Sequence, residues 1–182
     1  MDLSGLPAIA IALLASLAGL VATAIWTDVR SRRIPNWLCG ANAVLGLCYS
    51  GVAAQAPGGP WPAVGFAALH IVAALIVTVG LFAVGAIGAG DAKYYASMAA
   101  WLPIQQALGL LVSVSLAGLV LVVIFLAVRL PGRARRDKTK KTDFDKLPYG
   151  VAIGLGGLAA VLMEWHGRDS FRYSPRGSSR ST

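Results

Sequence analysis

Long apolar runs separated by short polar segments most constrain what this chain can fold into. A transmembrane helix needs about 20 predominantly apolar residues, and the first such run extends from Leu6 to Thr27. Charged residues make up only 13% of the 182 residues, against about 25% in a typical soluble domain, and the mean hydropathy is +0.68. The sequence therefore predicts an all-α membrane protein.

Six apolar runs predict a polytopic bundle of about six transmembrane helices. The predicted spans cover residues 6–27, 34–54, 63–87, 91–103, 108–130 and 148–164. The fourth is the shortest, because Pro103 and two glutamines stop it. We expect one transmembrane domain over residues 1–165, with a basic loop at 131–147, followed by a disordered Ser/Arg-rich tail at 166–182.

The basic residues predict the orientation of this bundle. Twelve of the sixteen Lys and Arg residues lie in Arg30–Arg33, at Lys93 and in Arg129–Lys146. Six crossings put these three segments on one side, which the positive-inside rule makes cytoplasmic, with both termini outside. Since the basic clusters alternate with apolar runs, they indicate contact with anionic lipid and not with nucleic acid. The same topology puts all five tryptophans at a membrane interface, where Trp is favoured.

Two aspartates lie at the edges of apolar runs. Asp28 ends the first run, and Asp91 opens the fourth. Carboxylates beside hydrocarbon are costly and are functional candidates by default. The predicted topology places both at the cytoplasmic end of the bundle. A close carboxylate pair shares a proton, so that one group can activate a water and the other can protonate a leaving amine.

From the residues alone, a structural role for the aspartates is equally open. Asp28 could neutralise nearby arginines, and Asp91 could cap the fourth helix. Gly88 and Gly90 favour catalysis, because glycine adopts backbone conformations closed to other residues and allows a substrate to approach closely. Pro35 fixes how the chain re-enters the membrane.

The cysteines and histidines predict no metal or cofactor. Cys39 and Cys48 lie in one apolar segment without a C-x-x-C motif, which indicates buried thiols that behave as small apolar side chains. His70 and His166 are each isolated in the sequence.

The order of these motifs resembles the type IV prepilin peptidases, which are membrane aspartyl proteases of the Gly-x-Gly-Asp type. The resemblance rests on Asp28 followed by Ile34-Pro35-Asn36, and on the Gly88-x-Gly90-Asp91-x-Lys93 segment. It extends from Leu6 to Glu164, and Pro148-Tyr149-Gly150 is similar to a third, weaker motif of the family. It implies that Asp28 and Asp91 are the catalytic pair.

The remaining motif residues are predicted to support this site. Gly88 and Gly90 would shape the turn that presents Asp91, while Pro35 and Asn36 would fix the first loop. Lys93 has two open roles, either in the active site or as an anchor at lipid phosphate. The arginines at 30, 32 and 33 are assigned to membrane orientation and anionic-lipid contact.

The resemblance implies cleavage of the basic leader from prepilin and pseudopilin precursors at the cytoplasmic face of the inner membrane. Because the chain has no insertion with paired C-x-x-C motifs, it is similar to the minimal branch that serves tight-adherence, or Flp-type, pili, and N-methylation is not expected.

Other functions compete with this interpretation. An intramembrane protease of the presenilin or signal-peptide-peptidase type shares Gly-x-Gly-Asp but pairs it with Tyr-Asp, whereas Asp28 follows Thr27. A small ion-coupled transporter or channel would use the aspartates as ion ligands, although no sequence repeat is visible. A catalytically silent pilus-assembly protein is the third alternative.

Overall fold

The computed structural model describes residues 8–53, 59–129 and 149–172, which form six α-helices and one 3-10 turn. The helices are α1 (Ala8–Ser31), α2 (Asn36–Ala53), α3 (Pro60–Ala83), α4 (Ala89–Ala99), α5 (Ala107–Arg129) and α6 (Tyr149–Arg172), and the 3-10 turn is Ile104–Gln106. Three helical stretches, Ala8–Ser31, Pro60–Ala83 and Ile104–Ala127, are long and apolar enough to cross a membrane. The prediction of an all-α polytopic membrane protein is confirmed.

Each predicted span overlaps one helix, but several ends differ. Helix α1 continues through Ser31, so Asp28 lies inside its last turn and not after it. Helix α3 begins at Pro60, because proline is accepted in the first turn of a helix. Helix α6 continues to Arg172, into the stretch predicted to be disordered. The basic loop at 131–147, Pro148 and residues 173–182 lie outside the described residues.

Helix α4 lies at the centre of the bundle, in contact with α2, α3 and α6. Helix α1 packs against α2 and α6, and α5 packs mainly against α6. The eleven residues of α4 rise by about 16 Å, roughly half the thickness of the hydrocarbon core. A helix this short is compatible with a bilayer because its neighbours enclose it.

Polar side chains inside the bundle fix the C-terminal half of α4 and the residues that follow it. The amide of Asn42 donates to Ser97 Oγ at 3.0 Å, and its Oδ1 accepts from Trp101 Nε1 at 3.1 Å. Nδ1 of His70 lies 3.0 Å from the carbonyl oxygen of Leu102. Because buried polar groups are nearly always paired, these contacts select one register of α4 against α2 and α3.

Two predictions about individual side chains are wrong. Trp101 and Trp165 are buried, so they do not lie at the lipid interface as the other three tryptophans can. Trp101 is buried because it packs on Tyr49, with ring centroids 5.4 Å apart, and donates to Asn42. Cys48 was predicted to be buried but is exposed, while Cys39 is buried.

Candidate active site

An open cavity of about 810 Å³ lies at the end of the bundle where α1 ends and α4 begins. Asp28 and Asp91 both line it, although 63 residues separate them in sequence. The other lining residues are Arg32, Arg33, Ile34, Asn36, Gly88, Ala89, Gly90, Lys93, Phe125 and Tyr149. The fold therefore brings most of the residues of the three sequence motifs to one cavity.

Asp28 is held by the beginning of α6. Its side chain is 7% exposed, and its Oδ2 accepts a hydrogen bond from the backbone N–H of Gly150 at 2.9 Å. The first N–H groups of a helix have no partner within the helix and carry partial positive charge, so they suit a carboxylate. A Cβ atom at position 150 would lie only 2.7 Å from Asp28 Oδ2. Glycine at this position is what lets α6 approach the carboxylate.

The chain leaves the helical path at Arg32, directly after α1 ends. The backbone N–H of Arg32 donates to the Asp28 carbonyl at 3.0 Å, and Arg32 has φ of 54°, the single positive φ of a non-glycine residue within the described ranges. A left-handed conformation is costly for such a residue, and it is commonly retained at functional sites. The turn leads to Pro35, whose carbonyl accepts from the N–H of Leu38 and so begins α2.

Asp91 lies in the first turn of α4, three residues after the N-cap residue Gly88. Its side chain folds back over the helix start, so that a Cβ on Gly88 would lie 3.0 Å from Asp91 Oδ2. The position suits an acidic residue, which complements the helix dipole. The position of Asp91 therefore fits a structural role at the start of α4 as well as a role in the cavity.

One of the two expected reasons for the glycines before Asp91 is wrong, namely that they adopt backbone conformations closed to other residues. Gly88 has φ of −77°, and Gly90 lies within helix α4, so neither uses a conformation closed to other residues. The glycine with a left-handed φ in this segment is Gly85, at 76°. Gly88 instead leaves room for the Asp91 carboxylate, whereas a Cβ on Gly90 would meet no atom within 4 Å.

Asp28 and Asp91 form a pair of carboxyl groups that border the same open volume. Ionising both members of such a pair is unfavourable, so the pair tends to retain one proton. One ionised and one protonated carboxyl group beside the same open volume can together serve as general base and general acid. Hydrolysis by general acid–base catalysis can use such an arrangement.

Basic residues form part of the cavity wall. Lys93 Nζ donates to Asn36 Oδ1 at 3.3 Å, which links α4 to the first turn of α2. Arg32 and Arg33, which the sequence assigned to lipid contact, also line the cavity. Because both arginines lie in a loop predicted to face lipid, the sequence gave no sign that they line the cavity. Phe125 was missed too, since nothing in the apolar run of α5 distinguishes it.

Among the described side chains, no three His, Cys, Asp or Glu residues come together.

An all-α bundle with two aspartates in a cavity at one end defines a class of polytopic membrane proteins with carboxylate chemistry. The chain belongs to the type IV leader peptidase family, whose model matches residues 11–123. The matched range includes Asp28 and Asp91 but ends before α6 and Gly150. Membership makes the chain a membrane peptidase. No curated protein and no solved structure matches the chain.

Proposed function

We propose that the chain is an aspartyl endopeptidase that removes the basic leader from type IV prepilins and pseudopilins of the Flp type at the cytoplasmic face of the inner membrane. The observation that carries the proposal is the meeting of Asp28 and Asp91 in one cavity from helices far apart in sequence. A helix-capping role for Asp91 would not by itself explain why Asp91 lines the same cavity as a second carboxylate.

In the proposed reaction, Asp28 and Asp91 act as a pair on one water molecule. The ionised carboxylate accepts a proton as the water attacks the carbonyl carbon of the scissile peptide bond. The protonated carboxyl group then gives its proton to the amide nitrogen, and the new amino terminus leaves. The pair titrates as a unit, so the two roles belong to the dyad.

The surrounding motif residues are proposed to position this pair. Gly150 supplies the N–H that holds the Asp28 carboxylate, and Gly88 leaves the space that Asp91 occupies. Pro35 begins the helix that carries Asn36, and Asn36 in turn contacts Lys93. Tyr149 and Gly90 form part of the wall against which the substrate backbone lies. Pro148, which lies outside the described residues, is proposed to support the site as part of the same motif as Tyr149 and Gly150.

The proposed substrates are prepilin and pseudopilin precursors whose basic leader remains on the cytoplasmic side. The basic loops contact the anionic lipids of that leaflet, and no nucleic acid takes part. N-methylation of the new amino terminus is not part of the proposed activity.

Intact-mass analysis of a prepilin incubated with the purified protein in liposomes tests the proposal. Wild-type protein should release a leader-sized N-terminal fragment. Asp28→Asn and Asp91→Asn should each slow this release by about 10²–10⁴-fold or more, the range attributed to general acid–base groups.

Asp143→Asn is the matched control, since it removes an acidic residue from the 131–147 loop and should leave cleavage unchanged. Cleavage that survives Asp28→Asn or Asp91→Asn would show that the substituted aspartate is not essential. A folded wild-type protein that leaves a cognate prepilin intact would favour the transporter or assembly alternatives.

A further inference from the structure

A second cavity, of about 450 Å³, adjoins the candidate active site between α3 and α5. Asp91 and Tyr149 line both cavities. Its walls are otherwise mostly apolar, and we call it the apolar groove. It is lined by residues from α3, α4, α5 and α6 that include Ala74, Val77, Leu81, Leu111, Val114 and Ile153.

The apolar groove runs along the height of the bundle. On α3 its lining extends from His70 to Leu81, which corresponds to about 16 Å of helix. Helices α3 and α5 make little direct contact with each other, so the groove lies between two separated walls. Val77 is 61% exposed and Leu111 is 51% exposed, which leaves a lateral opening toward the hydrocarbon.

Two polar side chains on the α3 wall of the groove are hydrogen-bonded within the protein. The hydroxyl of Thr78 donates to the carbonyl oxygen of Ala74 at 2.7 Å, and Nδ1 of His70 lies against the Leu102 carbonyl. What these walls offer an occupant is therefore apolar contact. In a membrane, an occupant with a peptide backbone must also satisfy its own hydrogen bonds, which an α-helix does.

We infer that the apolar groove binds a helical apolar segment of the substrate adjacent to the scissile bond, which enters sideways from the bilayer. The inference rests on the proposed function. Continuity with the active site selects this occupant, because the groove ends at Asp91 and a segment lying in it would deliver its end to the aspartate pair. The groove length matches about eleven helical residues.

Two valines on α3 provide a matched pair for the test. Val77 lines the groove, whereas Val79, 51% exposed on the same helix, does not. In proteoliposomes, Val77→Trp should raise the KM for a membrane-inserted prepilin by about tenfold or more, as expected when contact with one apolar side chain is lost. For Val79→Trp, the KM should stay within about twofold of wild type. Equal KM values for the two variants would overturn the inference.

Photocrosslinking gives a second measurement that does not depend on turnover. The Asp28→Asn variant, with p-benzoylphenylalanine at position 77 or at 79, is mixed with the same prepilin. A substrate adduct from position 77 alone, mapped to the apolar segment, would support the inference. Adducts to lipid alone at position 77, or equal substrate adducts from both positions, would overturn it. Absence of wild-type cleavage would count against the proposed function, while crosslinking would still report whether the groove binds the segment.

Discussion

A single added methyl group at Gly150 should slow the proposed reaction even though neither aspartate is substituted. The Cβ of Gly150→Ala would lie 2.7 Å from Asp28 Oδ2, 2.9 Å from its Cγ and 2.9 Å from Ile34 Cδ1. Cβ atoms in folded proteins do not approach other atoms this closely, so either α6 or the Asp28 carboxylate must move. Movement of either one breaks the 2.9 Å hydrogen bond between them.

The size of the effect follows from that hydrogen bond. A hydrogen bond to a charged group contributes about 1.5–3 kcal/mol, and each 1.36 kcal/mol in the activation barrier changes a rate tenfold. If the bond orients Asp28 in the transition state, Gly150→Ala should lower kcat by about 10-fold to 150-fold. KM should change less, because Gly150 contacts the proposed catalytic group and not the apolar groove.

Cleavage kinetics in proteoliposomes, with the leader fragment quantified by mass spectrometry, would measure this effect. Gly19→Ala is the control, because it adds the same methyl group to α1, the helix that carries Asp28, at a place with no atom within 4 Å. It should retain wild-type kinetics. A kcat for Gly150→Ala within about twofold of wild type, in a folded protein, would refute the assignment of Gly150 as the residue that holds Asp28.

Two further substitutions test the site and the core separately. Gly88→Ala should lower kcat by about 2-fold to 10-fold, because its Cβ would lie 3.0 Å from Asp91 Oδ2 and force that side chain to move. An off-rotamer side chain costs about 0.5–1.5 kcal/mol. An unchanged kcat in the same assay would contradict the steric argument. Asn42→Ala should lower the free energy of unfolding by about 1–3 kcal/mol, because it leaves the buried Trp101 Nε1 without its partner. Equilibrium unfolding in detergent checks the second prediction, and a wild-type midpoint would show that the Trp101 contact is not needed.

The sequence predicted the helices well because spanning a membrane is mainly a matter of apolar length. Each of the six predicted spans overlaps one observed helix. The helix ends were predicted less accurately, because α1 includes Asp28 and α6 continues to Arg172. Apolar length also does not reveal which helix the others enclose, so the central position of α4 and the burial of Trp101 were not predicted.

The candidate site was predictable as a set of residues but not as a geometry. Asp28 and Asp91 could be recognised because carboxylates beside hydrocarbon are unusual. The contact between Asp28 and Gly150 joins residues 122 positions apart, and it depends on the packing of α1 against α6. The space that Gly88 leaves beside Asp91 and the left-handed conformation of Arg32 were not predicted for a similar reason, because both are set by tertiary structure.

The contact between α1 and α6 also bears on the biogenesis of the protein. Asp28 belongs to α1, and the N–H that holds it belongs to α6. A nascent chain that has inserted only α1 to α5 already carries both aspartates, yet it lacks the group that orients one of them. The proposed catalytic arrangement thus forms only when synthesis has reached α6, so a chain that stops after α5 should not cleave a prepilin.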